Sequence, residues 1–193
     1  QPKYSNRPGD GLPPFLTLGE VIGDAYIETD PDCMNFSERK LRYLSMVPAG
    51  GNWRHLPEDI QRESMGKTWH LKGGRSAYWR KLSFDYPSPT LTTMPNHAGT
   101  SMCHPVELRA LTVGEYAAIQ EFPEEWKFSG TATDKCRQIG NAVPVRLAYE
   151  AGLVLKSLLA KKSDDETQPN EFLPDTIEHI RPHVRTRSFW KNG

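Results

Sequence analysis

The eight residues Arg137-Gln138-Ile139-Gly140-Asn141-Ala142-Val143-Pro144 carry the densest structural information in the chain. Gly140 allows a turn or a close backbone approach that a Cβ would block. Asn141 suits the cap of a helix N-terminus, and Pro144 suits a first helical turn, where a missing N–H costs little. The stretch therefore predicts a turn through Gly140 into a helix capped by Asn141. Downstream, Leu147, Ala151, Val154 and Leu158 recur at helical spacing, with Ala148, Leu155 and Leu159 widening the stripe. A face of that kind packs against an apolar partner surface.

Upstream of this motif, Thr112 and Glu115 form a Thr-x-x-Glu capping box that predicts a short helix over Glu115 to Glu121, stopped by Phe122-Pro123. The segment Tyr78 to Thr93 alternates and is rich in aromatic and β-branched residues, so it reads as short strands broken at Pro87 and Pro89. From Lys161 onward periodicity fades, and residues 161–193 read as a flexible tail in which Phe189-Trp190 is the one aromatic pair.

Charge is segregated although it sums to zero, with 24 Lys+Arg against 24 Asp+Glu over 193 residues. Asp10, Glu20, Asp24, Glu28, Asp30, Asp32 and Glu38 form an acidic stretch without a base. The next stretch, Arg39 to Lys81, is strongly basic and interleaved with Tyr43, Trp53, Trp69, Tyr78 and Trp79. Bases, aromatics and Gly73-Gly74 together suit a phosphate backbone, and an ordinary solvated basic face accounts for the composition equally well. A mean hydropathy of -0.64 with five Trp and no long apolar run describes a chain with a core and no membrane span. Cys33, Cys103 and Cys136 are odd in number and unpaired in spacing, which argues for a reducing intracellular setting over disulfides or zinc, and the scattered histidines propose no metal site. Gln1 in place of Met, with no leader behind it, suggests a chain that begins within a gene.

Taken in order, four segments resemble the closing part of DNA (cytosine-5)-methyltransferases. Residues 137–144 resemble that family's final motif, and Arg109-Ala110-Leu111-Thr112 to Gln120-Glu121-Phe122-Pro123 its penultimate one. Pro89-Thr90-Leu91-Thr92 resembles the element closing its target-recognition region, and Thr17 to Asp24 the segment before that region. The resemblance spans roughly Leu16 to Leu159. It implies an α/β fold, of which this chain is the C-terminal portion: a Rossmann-like S-adenosylmethionine-dependent methyltransferase with a small, irregular, β-rich recognition lobe. The implied divisions are a connecting segment at 1–34, target recognition at 35–105, the closing motifs at 106–160 and the tail at 161–193.

The same resemblance implies that Gly140, Asn141 and Ala142 lie at S-adenosyl-L-methionine and that Thr90, Leu91 and Thr92 lie at the backbone of double-stranded DNA. Free N–H groups at a helix start near Asn141 would suit a polar ligand, although a Gly-Asn turn also caps packed helices with no ligand. Arg80 and Arg75 are candidates for base-edge or phosphate contact. Arg109 and Glu115 are expected to hold the penultimate motif together. The chain departs from the family at Gly114, Glu121 and Cys136, where Arg, Gly and an aromatic are usual. None of its cysteines stands in the Pro-Cys-Gln context of the family's nucleophile, so a catalytic N-terminal half is the implied partner. A stand-alone DNA-binding module and an inactive gene fragment are the alternatives.

Overall fold

The computed structural model describes residues 11–23 and 31–164. Six α-helices follow one another among them: α1 (Leu18–Ile22), α2 (Glu38–Ser45), α3 (Glu58–Met65), α4 (Val113–Ile119), α5 (Ala132–Asn141) and α6 (Val145–Asp164). Short 3-10 turns at Trp53–His55, Gly66–His70 and Ala98–Thr100 link the rest.

Three of these helices start with one device. Thr17 and Glu20 form a capping box on α1, Thr112 and Glu115 on α4, and Thr131 and Asp134 on α5. In each, a threonine side chain takes one orphan N–H of the first turn while the acid returns to the cap's own N–H. The box on α5 relocates a helix boundary. Nucleated at Thr131, α5 runs through Gly140 to Asn141; Ala142 is extended at φ -77, ψ 148, and α6 begins at Val145. Asn141 is therefore a last-turn residue of α5 and not the cap of the following helix. The break falls where Pro144 biases the residue before it away from helical backbone.

Two apolar cores hold the unit that ends at Tyr149. Leu18 and Ile22 of α1, Val113 and Tyr116 of α4, and Cys136 and Ile139 of α5 close on Leu82, Leu91, Met102 and Leu111. Phe36, Tyr43, Leu44, Val47, Trp53, Leu56, Met65 and Trp79 form the second, with Cys103 and Ala110. Met102 faces the first core and Cys103 the second, as neighbours on an extended segment must.

The β-rich reading of the lobe is corrected. Among the described residues pairing is limited to isolated bridges, Cys33 with Thr112, Lys81 with Cys103, and Cys103 with Ala110. Pro87 and Pro89 lack the N–H a ladder needs, and Trp79 sits at φ 49, outside strand geometry. Helices α2 and α3 and the aromatic core take the place of a sheet. The unit beginning at Glu150 holds the remainder of α6, on which Leu153, Val154, Leu155, Leu158 and Leu159 are exposed. No described helix is long and apolar enough to cross a membrane. The reading of 161–193 as flexible lies outside the described residues beyond Asp164, and residues 161–164 continue α6.

Candidate functional site

Thr90, Leu91 and Thr92 divide by environment. Thr90 is exposed, Leu91 enters the first core, and the Thr92 hydroxyl is buried without a partner. The backbone of Thr92 is gripped from two sides. Tyr116 Oη of α4 donates to the Thr92 carbonyl at 3.0 Å and accepts from its N–H at 3.4 Å, and burial raises the phenol to about 12. From α5, Gly140 approaches so closely that a Cβ there would lie 2.6 Å from the Thr92 carbonyl oxygen. The close approach that Gly140 permits is thus to Thr92 rather than to a ligand. Tyr116 was missed in the sequence, because its partner Thr92 lies 24 residues away.

Arg80 is half-buried. Its Nε donates to the Ser101 carbonyl at 3.3 Å and its Nη2 lies 3.2 Å from Met102 Sδ. Burial holds the guanidinium below its ordinary value, and no carboxylate pairs with it among the described residues. It lines a cleft of about 160 Å³ with Asn52, Lys81, Tyr86 and Pro89, the residue before the exposed Thr90. Arg75 serves the aromatic core first. It donates to the Trp69 carbonyl and lies 5.0 Å from the Trp53 ring, on which Arg54 also stacks at 4.7 Å. The sequence joined Arg80 and Arg75 as one kind of candidate; the structure separates a cleft-lining cation from a stacked one.

Arg109 and Glu115 pair as expected. Both guanidinium nitrogens reach the Glu115 carboxylate at 2.8 Å, and the Thr112 N–H adds a third bond at 2.8 Å, with the Glu115 side chain 0% exposed. His104 packs beside them, its Nε2 3.8 Å from Glu115 Oε1, and its Nδ1 accepts from the Val106 and Glu107 N–H groups. That leaves the proton of the neutral ring on Nε2. Burial first, then Arg109, lowers the His104 pKa; Lys81 adds to this, and Glu115 and Glu107 oppose it. A histidine depressed on folding takes up its proton more readily in the unfolded chain, so its contribution is complete above about 6.5 and is lost as pH falls below that. Urea midpoints are therefore expected to drop from pH 7.5 to 5.5, with a shallower drop for His104→Asn.

The turn between α5 and α6 is held from α4. Gln120 Nε2 donates to the Ile139 carbonyl at 3.1 Å and the Ala142 carbonyl at 2.6 Å, and the Gln120 carbonyl accepts from Val145 N–H at 3.2 Å. Glu121 Oε2 accepts from Arg146 N–H at 2.9 Å. The first amides of α6 are thus taken by the chain itself, which corrects the expectation of a vacant, anion-seeking helix start at Asn141. What remains open at this turn is the exposed Asn141 side chain and the Val143 N–H, neither of which has a partner among the described residues. Donors and acceptors beside the small Ala142 fit the polar parts of S-adenosylmethionine; they do not form a carboxylate site.

Two cysteines are unsuited to nucleophilic work. Cys103 and Cys136 are fully buried, and burial pushes the Cys103 thiol up to about 11.

The family description C-5 cytosine-specific DNA methylase matches residues 20–157, and the chain belongs to that family. The type II methyltransferase M.Eco47II of Escherichia coli is 49% identical over 151 residues, covering 76% of this chain and 36% of the relative. The type II methyltransferase M.Sau96I of Staphylococcus aureus is 48% identical over 117 residues, covering 61% and 27%. DNA (cytosine-5)-methyltransferase 2 of Arabidopsis thaliana is 32% identical over 164 residues, covering 77% and 11%. The chain spans about a third or less of the length of these relatives.

Proposed function

We propose that this chain is the target-recognition and closing portion of a DNA cytosine-5 methyltransferase, acting with a catalytic half that supplies the cysteine nucleophile. The observation that carries this reading is the coupling of Thr90–Thr92 to the 140–146 turn through Tyr116 and Gly140. One packed unit then includes both the edge that would hold DNA and the turn that would meet the cofactor. The C5 position is inaccessible within the base stack, so the target cytosine must be extruded and its distorted backbone held. To that task we assign Thr90, which is exposed, and Arg80, which is half-buried and has no carboxylate partner among the described residues. Leu91 and Thr92 position Thr90 from behind, and Arg75 keeps the aromatic core in place. S-adenosyl-L-methionine, when bound, supplies the methyl group. Toward it this chain offers Asn141, Ala142 and the Gly140 turn. The division into connecting, recognition and closing segments belongs to this proposal, as does the Rossmann-like fold of the completed enzyme. The exposed stripe of α6 would then bury itself on the catalytic half.

Transfer of labelled methyl to duplex DNA tests it. The chain alone is expected to be inactive, and its mixture with the catalytic half of a close relative active; inactivity in a mixture shown to assemble would leave a DNA-binding module or an inactive fragment. DNA affinity should fall with salt, and Arg80→Ala should reduce the log–log slope by about one, the signature of one lost phosphate contact.

A further inference from the structure

The end of α4 is closed in an unusual way. Phe122 N–H bonds the Ala117 carbonyl and Glu121 N–H the Ala118 carbonyl, the paired bonds of a Schellman ending. In such an ending the residue after the cap is left-handed and normally glycine. Here it is Glu121, at φ 61. A side chain is strained there whatever the space around it, so its retention calls for a contact glycine cannot make. That contact is the bond to Arg146 N–H at the start of α6. The neighbouring Gln120, buried to 6% exposure, spends both amide hydrogens on carbonyls at either end of the Gly140–Ala142 stretch. Four bonds from two adjacent residues therefore fix the backbone of Ile139 to Arg146 from a different helix.

We propose that Gln120 and Glu121 are positioning residues for the cofactor: they hold the 139–146 turn in its receiving shape before the cofactor arrives. The proposal rests on the reading that this turn meets S-adenosylmethionine. Without the clamp the turn would sample other conformations, and apparent affinity falls by the fraction of time spent in them. Neither residue bonds Thr90–Thr92 directly, so DNA affinity is expected to change less than cofactor affinity.

The test uses this chain assembled with its catalytic half. Equilibrium dialysis with labelled S-adenosylmethionine reads affinity, amide hydrogen exchange reads the turn, and thermal melting reads stability. Glu121→Gly is expected to weaken cofactor binding roughly three- to tenfold and Gln120→Met about tenfold or more. Exchange at Arg146 should quicken in Glu121→Gly even without cofactor, while its melting temperature holds or rises because the left-handed strain is gone. Glu121→Gln, whose amide oxygen still accepts the Arg146 bond, should bind within about twofold of the parent. Unchanged cofactor affinity in both Glu121→Gly and Gln120→Met would overturn the proposal, and Glu121→Gln as weak as Glu121→Gly would overturn the hydrogen-bond assignment. Should the parent itself show no cofactor-dependent protection at 139–146, the underlying reading fails together with the proposal; protection in the parent with unchanged variants sinks the clamp alone.

Discussion

Gly140→Ala is expected to destabilise the chain by about 2–3 kcal/mol, in the range of overpacking a tight backbone contact. Two effects compete. Alanine favours a helix over glycine by about 1 kcal/mol. Against that, the added Cβ would stand 2.6 Å from the Thr92 carbonyl oxygen, 2.7 Å from its carbon and 2.8 Å from Thr93 N. All three are backbone atoms, held by Tyr116 and by Leu91 in the core, so no flexible side chain can yield. The clash wins. Gly152 of α6 provides the control, since nothing lies within 4 Å of the Cβ it would gain. There the same change should stabilise the isolated chain by about 0.5–1 kcal/mol. Thermal or urea unfolding of the two variants should therefore move in opposite directions; a neutral Gly140→Ala would refute the close approach. On the proposed function the substitution should also lower methyl transfer in the assembled enzyme, because it disturbs the Gly140–Thr92 contact through which that proposal links DNA and cofactor.

Glu115→Ala is expected to cost about 3–5 kcal/mol, the range for breaking a buried ion pair from one side. The carboxylate receives two Arg109 nitrogens and the Thr112 N–H, all at 2.8 Å, and is fully buried. Its loss strands a largely buried guanidinium and the buried Thr112 N–H, while the Thr112 hydroxyl still caps the first turn of α4. The equivalent acid of α1, Glu20, makes the same capping bonds in solvent, so Glu20→Ala should do far less. A double replacement, Arg109→Met with Glu115→Leu, removes both charges together and should recover a large part of the loss in urea unfolding. Failure to recover would place the energy in the Thr112 cap and not in the ion pair.

These two sites differ in how visible they were in the sequence. The capping box Thr112-x-x-Glu115 and the pairing of Arg109 with Glu115 were legible because both partners lie within six residues. The helical period of Leu147 to Leu158 was legible for the same reason. Glycine in the final motif was visible as a residue, but its purpose was not. The turn assigned to it lies two residues later, since the upstream box at Thr131 carries α5 through it. Prolines marked the segment Tyr78 to Thr93 as a poor strand, yet the alternation still suggested short strands, and the family resemblance a β-rich lobe, where the chain builds an aromatic, helical one. Alternation reports which residues are buried, whereas a ladder also needs a partner at the right distance, and that is not a local property.

The sequence by itself determined the family, the order of its motifs and the start of α4, all of which depend on contacts between near neighbours or on the identity of short strings. Only the tertiary structure decided which backbone Gly140 must approach, where the amide hydrogens of Gln120 go, why Glu121 tolerates left-handed backbone, and which of Arg80 and Arg75 faces the cleft. Each of the three main-chain locks joins residues at least 19 apart: Gln120 with Ile139, Tyr116 with Thr92 and Glu121 with Arg146. Contacts of that kind follow from how the two cores pack and leave no period in the chain, so the residues making them read as ordinary helix ends until the helices are brought together.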